Sequence, residues 1–137
     1  MRAAQPAAPG PQERGRRVRE KLQELVRRAH EAGGRIVAGT DTGAVRSIVP
    51  GFGLHRELGY LRSAGLSTMD VLRAATARAA EALRRDDLGA IAPGKRADLL
   101  LLRGDPLADL SALRHIHRVV RDGVVYDPAA LLAGASG

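Results

Sequence analysis

The sequence predicts an α/β fold, and three observations predict it. Apolar residues recur at helical spacing between residues 16 and 32. A glycine pair then gives way to a short apolar run ending in a polar loop. From Leu88 onward, turn residues alternate with short β-type runs. Each element can be justified in order.

Residues 1–15 are rich in Pro, Ala, Gly and charge, which predicts a disordered lead-in. From about Arg16 to Ala32, Val18, Leu22, Leu25, Val26 and Ala29 fall on one helical face, and Gly33-Gly34 stops the helix. Arg35–Ala38, with Ile36 and Val37, reads as a short buried strand opening into Gly39-Thr40-Asp41-Thr42-Gly43. Helix, glycine turn, strand and polar loop at the strand's C-terminal end is the arrangement by which α/β units present active-site loops. A helix is predicted near Leu54–Ala64. Another opens at Ser67, with Asp70 three residues on as a capping partner, and presents Val71, Leu72, Ala75, Ala79, Ala82 and Leu83.

The β-type runs are Asp98–Leu102, Ile116–Val120 and Val124–Tyr126, with Asp122-Gly123 as a hairpin turn between the last two. A short helix closes the pattern at Pro128–Ala133. The predicted organisation is a lead-in over 1–15, an α/β unit over 16–86 and a small β unit over 87–137.

Composition narrows the function classes. The 137 residues contain no cysteine, which excludes disulfides and thiolate metal sites and fits a reducing cytoplasm. Apolar runs such as Leu99–Leu102 are far too short to span a bilayer, and Pro6, Pro9 and Pro11 stand where a signal peptide needs an apolar stretch. Net charge is +7, and residues 1–28 hold eight basic groups against Glu13, Glu20 and Glu24. A basic start of this kind raises nucleic-acid binding as a reading. No aromatic residue interleaves with the arginines as a stacking platform, so that reading is the weakest of those considered. Aromatics are only Phe52, Tyr60 and Tyr126, so the core must be aliphatic.

Asp41 is the principal candidate for chemistry. A carboxylate where a strand meets a loop can coordinate a metal or accept a proton, and Gly39 and Gly43 let the backbone approach a ligand. The same residue in a Gly/Thr-rich turn can equally be a turn former. His55, in the region after Asp41, is a candidate substrate contact or a solvent-facing histidine at a helix start. His115 and His117 alternate as metal ligands on a strand would, yet no third histidine lies nearby in sequence.

An ordered series of motifs carries a resemblance. It runs Arg35-Ile36-Val37-Ala38-Gly39-Thr40-Asp41, Gly53-Leu54-His55-Arg56-Glu57-Leu58, Ala64-Gly65-Leu66-Ser67 and Val71-Leu72-Arg73-Ala74-Ala75-Thr76. It continues through Gly94-Lys95-Arg96-Ala97-Asp98-Leu99, Gly104-Asp105-Pro106-Leu107 and Val119–Tyr126. Over about residues 16–127 the chain resembles the C-terminal portion of the amidohydrolase superfamily, in its imidazolonepropionase- and prolidase-like branch.

The resemblance implies the last unit of a (β/α)8 TIM barrel, followed by part of a small β-sandwich built from both chain ends. It implies that Asp41, at the end of the eighth barrel strand, is a metal ligand and the catalytic general base. It also implies one or two divalent ions, zinc first, and hydrolysis of C–N bonds in amides, cyclic amides or dipeptides. The family's other ligands are a His-x-His pair, a carboxylated lysine or glutamate, and further histidines. They lie upstream in the resembling proteins and match nothing here. Two readings follow: part of an enzyme whose remaining ligands come from other sequence, or an interaction module that associates with itself or with a complementing barrel fragment.

Overall fold

The structure is a computed structural model. It describes residues 10–43 and 49–134; the first nine residues of the expected lead-in lie outside the described residues. Among these, five helices and one three-stranded sheet form the chain.

Helix α1 spans Pro11–Glu31. It begins inside the stretch read from sequence as lead-in. The reason is local: Pro11 sits at the first helical turn, where its missing N–H costs nothing and its fixed φ suits the helix. Its end follows the glycine reading. Gly33 takes φ 81°, Gly34 N–H donates to Ala29 O at 2.8 Å, and Gly33 N–H donates to His30 O at 2.9 Å.

The segment after the turn departs from expectation. Residues 35–38 form no β-ladder among the described residues. A strand needs a hydrogen-bonded neighbour, and the described residues place none beside this one. Its Ala38 N–H instead donates to Ala74 O at 3.0 Å. Burial still alternates with period two: Ile36, Ala38 and Thr40 are half-buried, while Arg35, Val37, Gly39 and Asp41 are exposed. Ile36 and Ala38 pack against the helical core.

That core joins helix α2 (Phe52–Ser63) to helix α3 (Thr68–Ala75). Leu58, Leu61, Ala64, Leu66, Val71 and Ala74 are buried, with Leu66 and Val71 fully enclosed. Ser67 caps α3 as its sequence implies: its Oγ accepts from Asp70 N–H at 3.1 Å. The following helix does not run on to Leu83. It breaks at Thr76, with φ −127° and ψ −92°, and resumes as α4 (Ala77–Ala82). Thr76 Oγ1 donates to Leu72 O at 2.7 Å, a local bond that competes with helix continuation. The break rotates the buried face, so Val71, Ala74 and Ala80 are interior, whereas Leu83 is exposed.

The sheet is antiparallel in the order β1 (Leu99–Leu102), β2 (Ile116–Arg121), β3 (Val124–Tyr126). Asp122 and Gly123 take φ 51° and 80°, as a two-residue hairpin turn of the I′ kind requires. Leu110 and Leu113, in the short 3₁₀ turn Leu110–Arg114, pack against the helical core and tie the sheet region to it. Helix α5 covers Pro128–Gly134.

Candidate active site

Asp41 lies at the end of the alternating segment, on the face that Val37 and Gly39 expose and opposite the face held by the helices. Its φ of 53° is left-handed, a conformation aspartate tolerates better than most residues. The flanking threonines brace the turn: Thr40 Oγ1 lies 2.8 Å from Thr42 Oγ1 and accepts from Thr42 N–H at 3.3 Å. The Asp41 carboxylate makes no hydrogen bond or ion pair among the described residues. A solvated carboxylate held on a braced turn, on the uncovered side of its segment, is chemically available as a base or ligand.

Metal-binding geometry is a separate matter. No group of three or more His, Asp or Glu side chains among the described residues could hold a metal ion. One carboxylate does not hold zinc, which takes three or four protein ligands. The residues present therefore do not fit a metal centre by themselves.

His55 stands in the first turn of α2, half-buried. It lines a cleft of about 330 Å³ with Leu58, Leu110, Leu113 and Arg114, and no residue of the 39–43 turn lines that cleft. The structure thus directs His55 towards the 3₁₀ turn and does not gather it with Asp41 in one cavity.

His115 and His117 do not form the strand pair that alternation suggests. His115 caps the 3₁₀ turn with φ −96° and ψ 62°. A bulge between Leu101 and Leu102 sets Leu101 opposite Arg118 and Leu102 opposite Ile116, leaving His117 as the extra residue. Arg118 Nη1 donates to His117 O at 2.7 Å and pairs with Asp127 at 3.2 Å, so a guanidinium occupies the ground beside the imidazole.

One polar cluster has no counterpart in the sequence reading. Asp70 Oδ2 accepts from Ser67 Oγ at 2.5 Å, and Asp70 Oδ1 accepts from Arg78 Nη2 at 2.7 Å. His30 Nε2 lies 3.7 Å from Asp70 Oδ2. The Ser67 hydroxyl first, then Arg78 and His30, hold the Asp70 carboxyl below its ordinary range, against the opposing effect of burial. The cluster ties the end of α1 to α3 and α4. Only the Ser67–Asp70 spacing signalled it in sequence; the long-range partners carry no local signature.

Comparison with known proteins places this architecture. The amidohydrolase family profile matches residues 13–126. The imidazolonepropionase of Streptomyces griseus is 42% identical over 64 residues, covering 47% of this chain and 14% of that protein. A Xaa-Pro dipeptidase crystallised with methionine in its active site superposes with TM-score 0.68 at 34% identity, over 79% of this chain and 26% of that one. A bottromycin amidohydrolase superposes with TM-score 0.75 at 31% identity, over 94% of this chain and 30% of that one. The chain thus spans about one seventh of the length of the Streptomyces relative. With most of its length matched, the chain belongs to the amidohydrolase family, on its imidazolonepropionase- and prolidase-like side.

Proposed function

We propose that the chain is the C-terminal portion of a metal-dependent amidohydrolase that hydrolyses C–N bonds in small amides, cyclic amides or dipeptides. In this reading Asp41 is the general base. Its carboxylate accepts a proton from the attacking water and returns it to the leaving nitrogen. The observation that supports the role is its position: a carboxylate with no partner among the described residues, on the face of residues 35–41 that the helices leave bare. In a completed barrel the other strand ends would surround it.

Divalent metal, zinc by expectation, belongs to this reading only with histidines from other sequence, since the described residues hold no ligand group. The isolated chain is accordingly inactive, and Asp41 becomes useful when the remaining barrel is supplied. We assign His55 a substrate contact only in that completed form. The last strands would form part of a composite β-sandwich, and the cysteine-free chain would work in the cytoplasm. Among the described residues no helix is long and apolar enough to cross a membrane.

A test is to co-express the chain with the preceding portion of a related amidohydrolase and assay amide, cyclic amide and dipeptide substrates with added zinc. Hydrolysis by the pair, absent from either piece and lost with Asp41→Asn, supports the reading. A pair that assembles, binds zinc and turns over equally with Asp41→Asn refutes it.

The second reading is an interaction module without catalysis. Its support is the number of large apolar side chains left exposed, among them Leu22, Leu25, Leu83, Ile91 and Val125.

A further inference from the structure

At φ 53° Asp41 occupies the left-handed region, which residues with a Cβ enter seldom. Glycines stand two residues to either side, at 39 and 43, yet the left-handed position itself carries a carboxylate. Aspartate visits this region more readily than most residues, but a single conformation there persists only when its surroundings hold it.

Thr40 supplies a direct hold. Its Oγ1 accepts from Thr42 N–H at 3.3 Å, a bond that bridges Asp41 from one side to the other. The same Oγ1 lies 2.8 Å from Thr42 Oγ1. One hydroxyl thus meets both the amide and the hydroxyl of the residue beyond Asp41. Thr40 is half-buried on the face that Ile36 and Ala38 turn to the helical core, so the hydroxyl stands on an anchored base. Asp41 is exposed on the opposite face. All these contacts lie within three consecutive residues and need no other element.

We infer that Thr40 is the positioning residue of Asp41. By bridging to Thr42, its hydroxyl holds the left-handed turn and so fixes the direction in which the Asp41 carboxylate leaves the backbone. The catalytic consequence rests on the reading of Asp41 as general base; the geometry does not. A base must lie within hydrogen-bond reach of the proton it takes, and a misplacement of about 1 Å can cost about a hundredfold in rate. Thr40 acts only through Asp41 and touches no reacting atom.

The experiment compares the full chain with Thr40→Val, which removes the hydroxyl and keeps the shape, and Thr40→Ser, which keeps the hydroxyl. Nuclear magnetic resonance reads the intraresidue HN–Hα cross-peak of Asp41, which is strong when φ is positive and weak when φ is negative. A strong cross-peak is expected in the parent and in Thr40→Ser, and a weak one in Thr40→Val with helical circular dichroism unchanged. In the assembly with the preceding portion of a related amidohydrolase, Thr40→Val is expected to lower kcat by about 10- to 100-fold with KM within about twofold. Thr40→Ser is expected to restore kcat to within about threefold of the parent. A strong cross-peak in Thr40→Val, a weak one in the parent, or Thr40→Ser behaving as Thr40→Val would overturn the inference. So would an assembly whose kcat is unchanged by Thr40→Val yet abolished by Asp41→Asn. An assembly indifferent to Asp41→Asn refutes the hydrolase reading instead, and the cross-peak then decides the role of Thr40 by itself.

Discussion

The Asp98 carboxylate accepts a hydrogen bond of 2.7 Å from the backbone N–H of Asp122, 24 residues later. This bond fixes the hairpin turn to the start of β1, and Arg96 holds the other carboxylate oxygen at 3.0 Å. Gly123 N–H adds a bond to Ala97 O at 3.1 Å. The entry to β1 and the turn between β2 and β3 are therefore clamped by one side chain. Asp98→Ala should cost about 1–2 kcal/mol in urea unfolding, the scale for a charged acceptor losing a backbone donor. A change below the error of the measurement would show the clamp to be unimportant.

Gly89 is the tightest glycine contact behind α4. A Cβ there would lie 2.7 Å from Ala80 Cβ and 2.9 Å from Thr76 O, and the residue takes φ 82°. Both contacts are with groups that cannot swing away. Gly89→Ala should destabilise by about 2–3 kcal/mol, from overpacking plus left-handed strain. Gly39→Ala meets nothing within 4 Å and should stay within about 0.5 kcal/mol of the parent. Thermal melts of the two variants side by side provide the check.

Asp70 predicts an acid-sensitive contact. Its folded pKa is lowered, chiefly by the Ser67 hydroxyl and then by Arg78. A depressed carboxylate contributes stability that is present above its unfolded pKa, near about 4, and lost as pH falls through the folded value. Ser67→Ala removes the main cause. It should cost about 1 kcal/mol near neutrality through the lost cap. It should also flatten the acid limb, so the gap between the two proteins narrows below pH 4. Stability measured from pH 2 to 7 tests this; a gap that widens on acidification would contradict it.

Much of the fold was legible because its signals are local. Ser67 with Asp70, Gly33-Gly34 and Asp122-Gly123 each specify a backbone geometry within a few residues, and each is found where the sequence put it. What was not legible depends on distant partners. Residues 35–38 have strand composition, but a ladder needs a neighbour that the described residues do not offer. The break at Thr76, the bulge that isolates His117 and the reach of Arg78 to Asp70 are set by packing, and no short pattern announces them. Pro11 opens α1, a start that the composition of residues 1–15, read as a lead-in, hid. For the candidate site, sequence named Asp41 and the structure describes its setting. The cleft that holds His55 depends on Leu110 and Arg114, more than fifty residues away.

Asp41 has no partner to lose among the described residues. Asp41→Asn keeps a side chain tolerant of left-handed φ, so stability should change by less than about 0.5 kcal/mol. A large loss would assign Asp41 a structural role.

The central claim is that this chain brings one carboxylate to a metal centre it cannot build alone. Metal analysis after dialysis against zinc, on the chain by itself and on its assembly with the preceding portion of a related amidohydrolase, tests it most directly. The account predicts well under one zinc per isolated chain, and at least one per assembly, reduced by Asp41→Asn. Stoichiometric zinc on the isolated chain, or zinc in the assembly indifferent to Asp41→Asn, would contradict it.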